Sequence, residues 1–139
     1  MLFRSIVSLL LAMGYGIDET SGEVIGRSGD GGVDGVIDQD PLGVDQIYIQ
    51  AKRYAFGNNI SSGAIRDFFG SLNIKKAQKG IFVTTSDFTP DALKTARELS
   101  TRIVLINGAK LSELMVSHNV GCRDHRTIIV KRIDEDFFE

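Results

Sequence analysis

The spacing of apolar positions divides the chain into helical and extended stretches. Phe3, Ile6, Val7, Leu10 and Leu11 recur at three- and four-residue intervals, which predicts a helix from near Phe3 to Met13. Leu9 and Ala12 widen its stripe, and Gly14 and Gly16 stop it. A short strand is expected around Val24 and Ile25, after a loop from Asp18. Val33, Val36 and Ile37 mark a second extended stretch, and Ile47, Tyr48 and Ile49 a third. Asp38–Val44 lies between them, holds Pro41 and Gly43, and reads as a hairpin connection. Ile65, Phe68, Phe69 and Leu72 then form a helical stripe, with Asn58, Asn59, Ser61 and Ser62 as candidate caps. The aromatics on that stripe read as core rather than as base-stacking groups.

The second half alternates. Gly80–Thr85 has the composition of a buried strand. Thr89 is a good N-cap with Pro90 at the first helical position, and Leu93, Ala96 and Leu99 mark the helix that follows. Arg102–Ile106 is another apolar strand. Strand, helix, strand predicts a parallel βαβ unit. Asn107-Gly108 leads into a short helix carrying Leu111, Leu114 and Met115, which ends by Gly121. Thr127–Ile133 reads as a last strand and Asp134–Glu139 as an acidic tail.

At 139 residues and 42% hydrophobic content the chain suits one domain with a real core. Its net charge of −2 argues against a histone-like protein but leaves room for a local basic patch on nucleic acid. Cys122 is the only cysteine, so no internal disulfide forms and a reducing, cytoplasmic setting fits. The apolar run Ile6–Met13 is too short to span a bilayer and no small-residue cleavage site follows it.

The candidate chemistry gathers between Ser28 and Lys52. In a strand, residues two apart share a face, so Gln50 and Lys52 point one way and Ala51 the other. If the two flanking strands pair as a hairpin, Asp34 reaches the same face. A carboxylate, an amide carbonyl and an ammonium at one point suit Mg²⁺ and a phosphate. Metal-assisted phosphodiester hydrolysis is the chemistry suggested. Asp30, in the turn Gly29-Asp30-Gly31-Gly32, is either a second metal ligand or the residue that closes the turn. No Gly-Lys-Ser/Thr follows these glycines and a strand comes next, which excludes a nucleotide P-loop.

Asp34…Gln50-Ala51-Lys52 resembles the PD-(D/E)XK nuclease core in the form where glutamine replaces the second acid. The longer blocks Ile25–Gly35, Ile49–Tyr54, Lys79–Ser86 and Ile103–Gly108 are similar to the Mrr restriction endonucleases. The resemblance runs over nearly the whole chain. It implies an α/β, restriction-endonuclease-like fold with a mixed central sheet flanked by helices. It implies Asp34, Gln50 and Lys52 as catalytic residues. Asp34, Gln50 and the Ala51 carbonyl would hold Mg²⁺, for which Mn²⁺ could substitute. The expected partner is double-stranded DNA, methylated in the family's restriction role, and cutting both strands suggests a homodimer or higher homo-oligomer, with no membrane involved. Family members generally carry an N-terminal winged-helix recognition domain; here residues 1–139 read as the catalytic domain alone.

One departure stands out. The glutamate that such proteins carry early in the first helix aligns with Phe3; either another acid substitutes, Glu23 being the nearest, or the site works without it. Lys75, Lys76 and Lys79, with Arg53 and Arg66, are candidate phosphate contacts; for the lysines a solvated helix C-terminus is the equal alternative. Thr84, Thr85 and Ser86 sit at a strand's C-terminal end and serve either ligand or cap. His118, His125 and Cys122 have no zinc spacing, and both histidines are expected at the surface. No serine lies in a nucleophile elbow. Two rival functions remain open: a degenerate nuclease fold that binds DNA without cutting, and a small-molecule-binding α/β module.

Overall fold

The computed structural model describes residues 2–18, the backbone of 22–24, and residues 33–121. The Gly29–Gly32 turn with Asp30, the side chain of Glu23, Cys122, His125, the Thr127–Ile133 strand and the acidic tail lie outside the described residues.

Among the described residues nine elements follow in order: α1 (Leu2–Ala12), β1 (Gly22–Val24), β2 (Gly35–Asp38), β3 (Gln46–Lys52), α2 (Ser62–Ile74), β4 (Lys79–Thr84), α3 (Pro90–Glu98), β5 (Arg102–Ile106) and α4 (Gly108–Ser117). The strands form one sheet in chain order. β1, β2 and β3 are antiparallel neighbours, while β3, β4 and β5 run parallel. The sheet is therefore mixed, as the alternation of hairpin and strand–helix–strand signals predicts.

The period-2 alternation of the strands builds two cores, one on each face. Ile47 and Ile49 of β3, Ile81 and Val83 of β4, and Ile106 of β5 turn to α1 and α4, where Ile6, Leu9, Leu10 and Leu111 meet them. Phe82 and Ile103 turn the other way, to Ile65, Phe68 and Leu72 of α2 and Ala92 of α3. That second core is aromatic. Phe68 and Phe82 meet edge to face at 5.5 Å, and Phe82 and Phe88 at 5.8 Å, the geometry that ring quadrupoles favour. Gly80 lets α2 lie close: a Cβ there would sit 2.8 Å from the Phe68 ring and 2.9 Å from Leu72.

Caps form where short polar side chains precede apolar stripes. Of the four candidates before α2, Ser61 is the cap. Thr89 Oγ1 accepts from Ala92 N–H at 3.1 Å, with Pro90 behind it. Asn107 Oδ1 accepts from Lys110 N–H at 2.8 Å and starts α4.

Two helix stripes turn by one position from the expected ones. On α1 the buried residues are Ile6, Leu9 and Leu10, with Leu11 off the core. On α3, Ala92, Ala96 and Leu99 pack inward while Leu93 is 41% exposed. A 92–96–99 spacing is as helical as 93–96–99, and the small Ala92 allows the closer approach.

Candidate active site

The β2–β3 hairpin sets the geometry. Gly35 pairs with Ile49, and Val36 with Tyr48. Continued by one residue, that register puts Asp34 opposite Gln50. Asp34 lies just ahead of β2 rather than within it. It is still tied to β3 at two points: its N–H donates to the Ile49 carbonyl at 2.8 Å, and its Oδ2 accepts from the Ala51 N–H at 2.6 Å. One carboxylate oxygen is thus fixed against the strand. In extended backbone the Ala51 carbonyl lies along the same edge as its N–H.

Gln50 is buried, Lys52 is half-buried, and both line an open cleft of about 770 Å³ between β3 and α2. The α2 wall supplies Ser61, Arg66 and Asp67, and Tyr54 stands at the mouth. The structure brings Asp34, Gln50, Ala51 and Lys52 together, with Arg66 across the cleft. Arg53 is exposed immediately after β3. Lys52 makes no ion pair among the described residues.

The end of β3 is held by hydroxyls. The Lys52 carbonyl accepts from Thr84 Oγ1 at 3.0 Å and from Thr85 N–H at 3.2 Å. Thr84 is fully buried, shares a hydrogen bond with Ser86 Oγ at 3.0 Å, and its Oγ1 also accepts from the Ser86 N–H. Thr85 Oγ1 accepts from Tyr54 N–H at 2.9 Å and donates to the Tyr54 carbonyl at 2.8 Å. Thr84-Thr85-Ser86 therefore clamps the strand that carries the lysine. In the sequence these residues show only as hydroxyls at a strand end; the parallel register that sets Lys52 beside Thr84 comes from tertiary pairing.

The lysine cluster goes elsewhere. Lys79 starts β4, one step before the Gly80–Tyr48 pair, and its Nζ meets Asp45 at 2.7 Å. Lys75 is the C-cap of α2 and Lys76 follows with φ +56°. All three lie at the end of the sheet away from Lys52, roughly 20 Å along β3 at the usual rise per residue. Asp67 and Ser61 enter the cleft without any chemical motif to announce them. Their one signal is position, on the flank of the Ile65–Phe68–Leu72 stripe.

Phe3 packs half-buried against the α1/α4 core, so the first helix presents no carboxylate at that position. His118 is half-buried at the end of α4, where its ring Nδ1 meets the Leu114 carbonyl at 2.9 Å. Among the described residues no cluster of three His, Cys, Asp or Glu could hold a metal, and no helix is long and apolar enough to cross a membrane.

A mixed sheet between helix layers, with an antiparallel hairpin feeding a parallel strand pair, is the architecture of restriction endonucleases. Two solved structures share it. The DNA modification-dependent restriction endonuclease AspBHI superposes with a TM-score of 0.65 at 21% identity, covering 86% of this chain and 32% of its own. The MspJI restriction endonuclease, in complex with a 27-mer oligonucleotide, gives 0.56 at 24% identity over 81% of this chain and 27% of its own. At the sequence level, a family model described as a restriction endonuclease (Mrr_cat) matches residues 3–115. The chain belongs to this Mrr restriction endonuclease family. It is 37% identical over 134 residues to the type IV methyl-directed restriction enzyme EcoKMrr of Escherichia coli strain K12. That match covers 96% of this chain and 43% of the length of that relative. Family membership sets the small-molecule-binding module aside.

Proposed function

We propose that residues 1–139 are the catalytic domain of a metal-dependent DNA endonuclease, hydrolysing phosphodiester bonds at the C-terminal end of β3. One observation carries this reading: Asp34 sits opposite Gln50 with its carboxylate on the Ala51 N–H at 2.6 Å, and Lys52 shares the Gln50 cleft. A carboxylate oxygen, an amide oxygen and a main-chain carbonyl are hard donors, a set that fits Mg²⁺ or Mn²⁺. Asp34, Gln50 and the Ala51 carbonyl would hold the ion. Such an ion, when bound, polarises a phosphoryl oxygen and makes water more acidic.

The remaining work falls to this chain's own residues. Lys52 presents a cation, anchored through its backbone by Thr84 and Thr85, where charge develops on the phosphate. It also orients the attacking water. The water oxygen bonds to phosphorus and gives up a proton to solvent, the bond to the departing sugar oxygen breaks, and that oxygen takes a proton from solvent. Arg66 and Arg53 would contact flanking phosphates. Lys75, Lys76 and Lys79 would meet only a more distant stretch of duplex.

The substrate we propose is double-stranded DNA, with modified bases as the target, by analogy with the methyl-directed relative. Reading of the modification is assigned to parts of such proteins that this chain does not match. Cleavage of both strands calls for two sites, hence a homodimer or higher oligomer, in a cytoplasmic setting. A second reading, DNA binding without cleavage, is favoured by Phe3 where the family has a glutamate.

The test is plasmid cleavage with Mg²⁺ or Mn²⁺ against a chelator, wild type beside Asp34→Ala. Metal-dependent cutting that falls by about 100-fold or more in the variant is expected. Binding without cutting by the wild type would favour the second reading, and absence of DNA binding would overturn both.

A further inference from the structure

Just beyond Lys52 the chain makes a tight turn with an aromatic residue at its corner. Asn58 N–H donates to the Ala55 carbonyl at 3.0 Å, and Gly57 takes φ +90°. This is a β-turn whose third residue needs positive φ. Phe56 is its second residue and is completely exposed, at 102%. A single exposed apolar side chain is ordinary on a protein surface. Three features set this one apart.

The turn is held at both ends. Tyr54 is bonded twice to Thr85. Ile60 N–H donates to the Asp87 carbonyl at 2.8 Å, and Thr89 N–H to the Ile60 carbonyl at 3.0 Å. The turn is therefore anchored on both sides, and the Phe56 ring stands clear of the core. The turn also lies at the same end of β3 as Lys52, four residues on, and shares the Thr85 anchor with the site strand. Finally its surroundings suit nucleic acid. Exposed Arg53 flanks it, and Phe56 borders a hollow of about 220 Å³ with the amides Asn59 and Asn107. Asp87, the carboxylate in that hollow, is engaged by the Phe88 N–H and by Asn107 Nδ2.

We propose that the Ala55–Asn58 turn enters a groove of the bound duplex beside the scissile phosphate. Phe56 is inserted against the bases as an apolar wedge, and Arg53 holds the neighbouring phosphate. Aromatic rings stack on any base, and wedges of this kind part a base step and bend the duplex. The proposal rests on the DNA nuclease reading above and adds a residue that touches bases rather than the reacting phosphate.

The chain has no tryptophan, so Phe56→Trp places a sole indole at the turn. That variant is titrated with a short duplex in the presence of a chelator, while anisotropy of labelled duplex reports binding separately. Saturable quenching of the indole in step with binding is expected. Phe56→Ala should bind the duplex at least about five-fold more weakly. Leu42→Ala, equally apolar, 87% exposed and on the β2–β3 connection, should bind as wild type does. Binding without quenching, together with unchanged affinity of Phe56→Ala, would overturn the proposal. So would an indole signal that follows protein concentration instead of DNA, which would put a second copy of the chain on Phe56. Absence of duplex binding by the wild type would overturn the nuclease reading itself.

Discussion

The two ends of β3 are built from the same kinds of residue and put them to opposite use. At its N-terminal end the carboxylates are taken up by local partners. Asp40 accepts from the N–H groups of Leu42, Val44 and Asp45, Gln46 Nε2 donates to Asp38 at 2.7 Å, and Lys79 pairs with Asp45. This end closes a hairpin with its carboxylates engaged, although the buried Gln39 Nε2 has no hydrogen-bond partner among the described residues. At the C-terminal end the backbone is as firmly held, but among the described residues the side chains are left with capacity. Asp34 uses one oxygen on the Ala51 N–H, Gln50 opens into a cleft, and Lys52 has no ion-pair partner among the described residues. Fixed backbone with unspent side chains is what the proposed site calls for. Matched side chains mark structure.

The contrast breaks most severely if the clamp is displaced. A Cβ on Gly108 would run into the Thr85 carbonyl oxygen, so Gly108→Ala forces the Thr85 backbone to move. Overpacking of this kind costs about 1–3 kcal/mol, read as a lower urea midpoint, and cleavage should fall with it because Thr85 anchors Tyr54. A variant of wild-type stability would show that the α4 start is looser than this packing requires.

A gentler change separates positioning from packing. Thr84→Val keeps the volume but removes the hydroxyl from the Lys52 carbonyl and from Ser86. Leaving buried partners unpaired costs roughly 1–3 kcal/mol, and cleavage should drop several-fold at unchanged affinity for duplex. Thr84→Ser should restore both. Failure of serine to rescue would make Thr84 a packing residue only.

The smallest effect belongs to the N-terminal end of β3. Hydrogen bonds from Asp45 first, then Val44, hold the Asp40 carboxyl below its ordinary value of 3.8. A depressed folded value means that the contribution is complete above the ordinary value and is lost as pH falls through the lower one. Faster exchange of the Val44 and Asp45 amides is therefore expected only below about pH 3.8, and Asp40→Asn should abolish that step. Opening of the hairpin near neutral pH would contradict the Asp40 assignment.

Much of this was open to reading along the chain, because it depends on short-range rules. Alternation places Gln50 and Lys52 on one face, and Thr89-Pro90 announces a helix start whatever the fold around it. The mixed sheet follows from a hairpin signal before a strand–helix–strand signal. What escaped depends on distance in space. Lys75 and Lys76 read equally as phosphate contacts and as a solvated helix end, and it is the run of α2 back along the sheet that carries them to its far end. Thr84 reads as a generic hydroxyl until the parallel register sets it beside Lys52. Leu93 and Ala92 are equally good stripe members, and only the approach of α3 to the sheet chooses between them.

The most direct measurement sets one lysine from each end side by side: the Mg²⁺-dependent cleavage rate of Lys52→Met against that of Lys79→Met. The account predicts a loss of about 100-fold or more for Lys52→Met, with Lys79→Met within about two-fold of wild type, as expected of an exposed ion pair. Equal losses, or wild-type cutting by Lys52→Met, would contradict it and remove the active site from the end of β3.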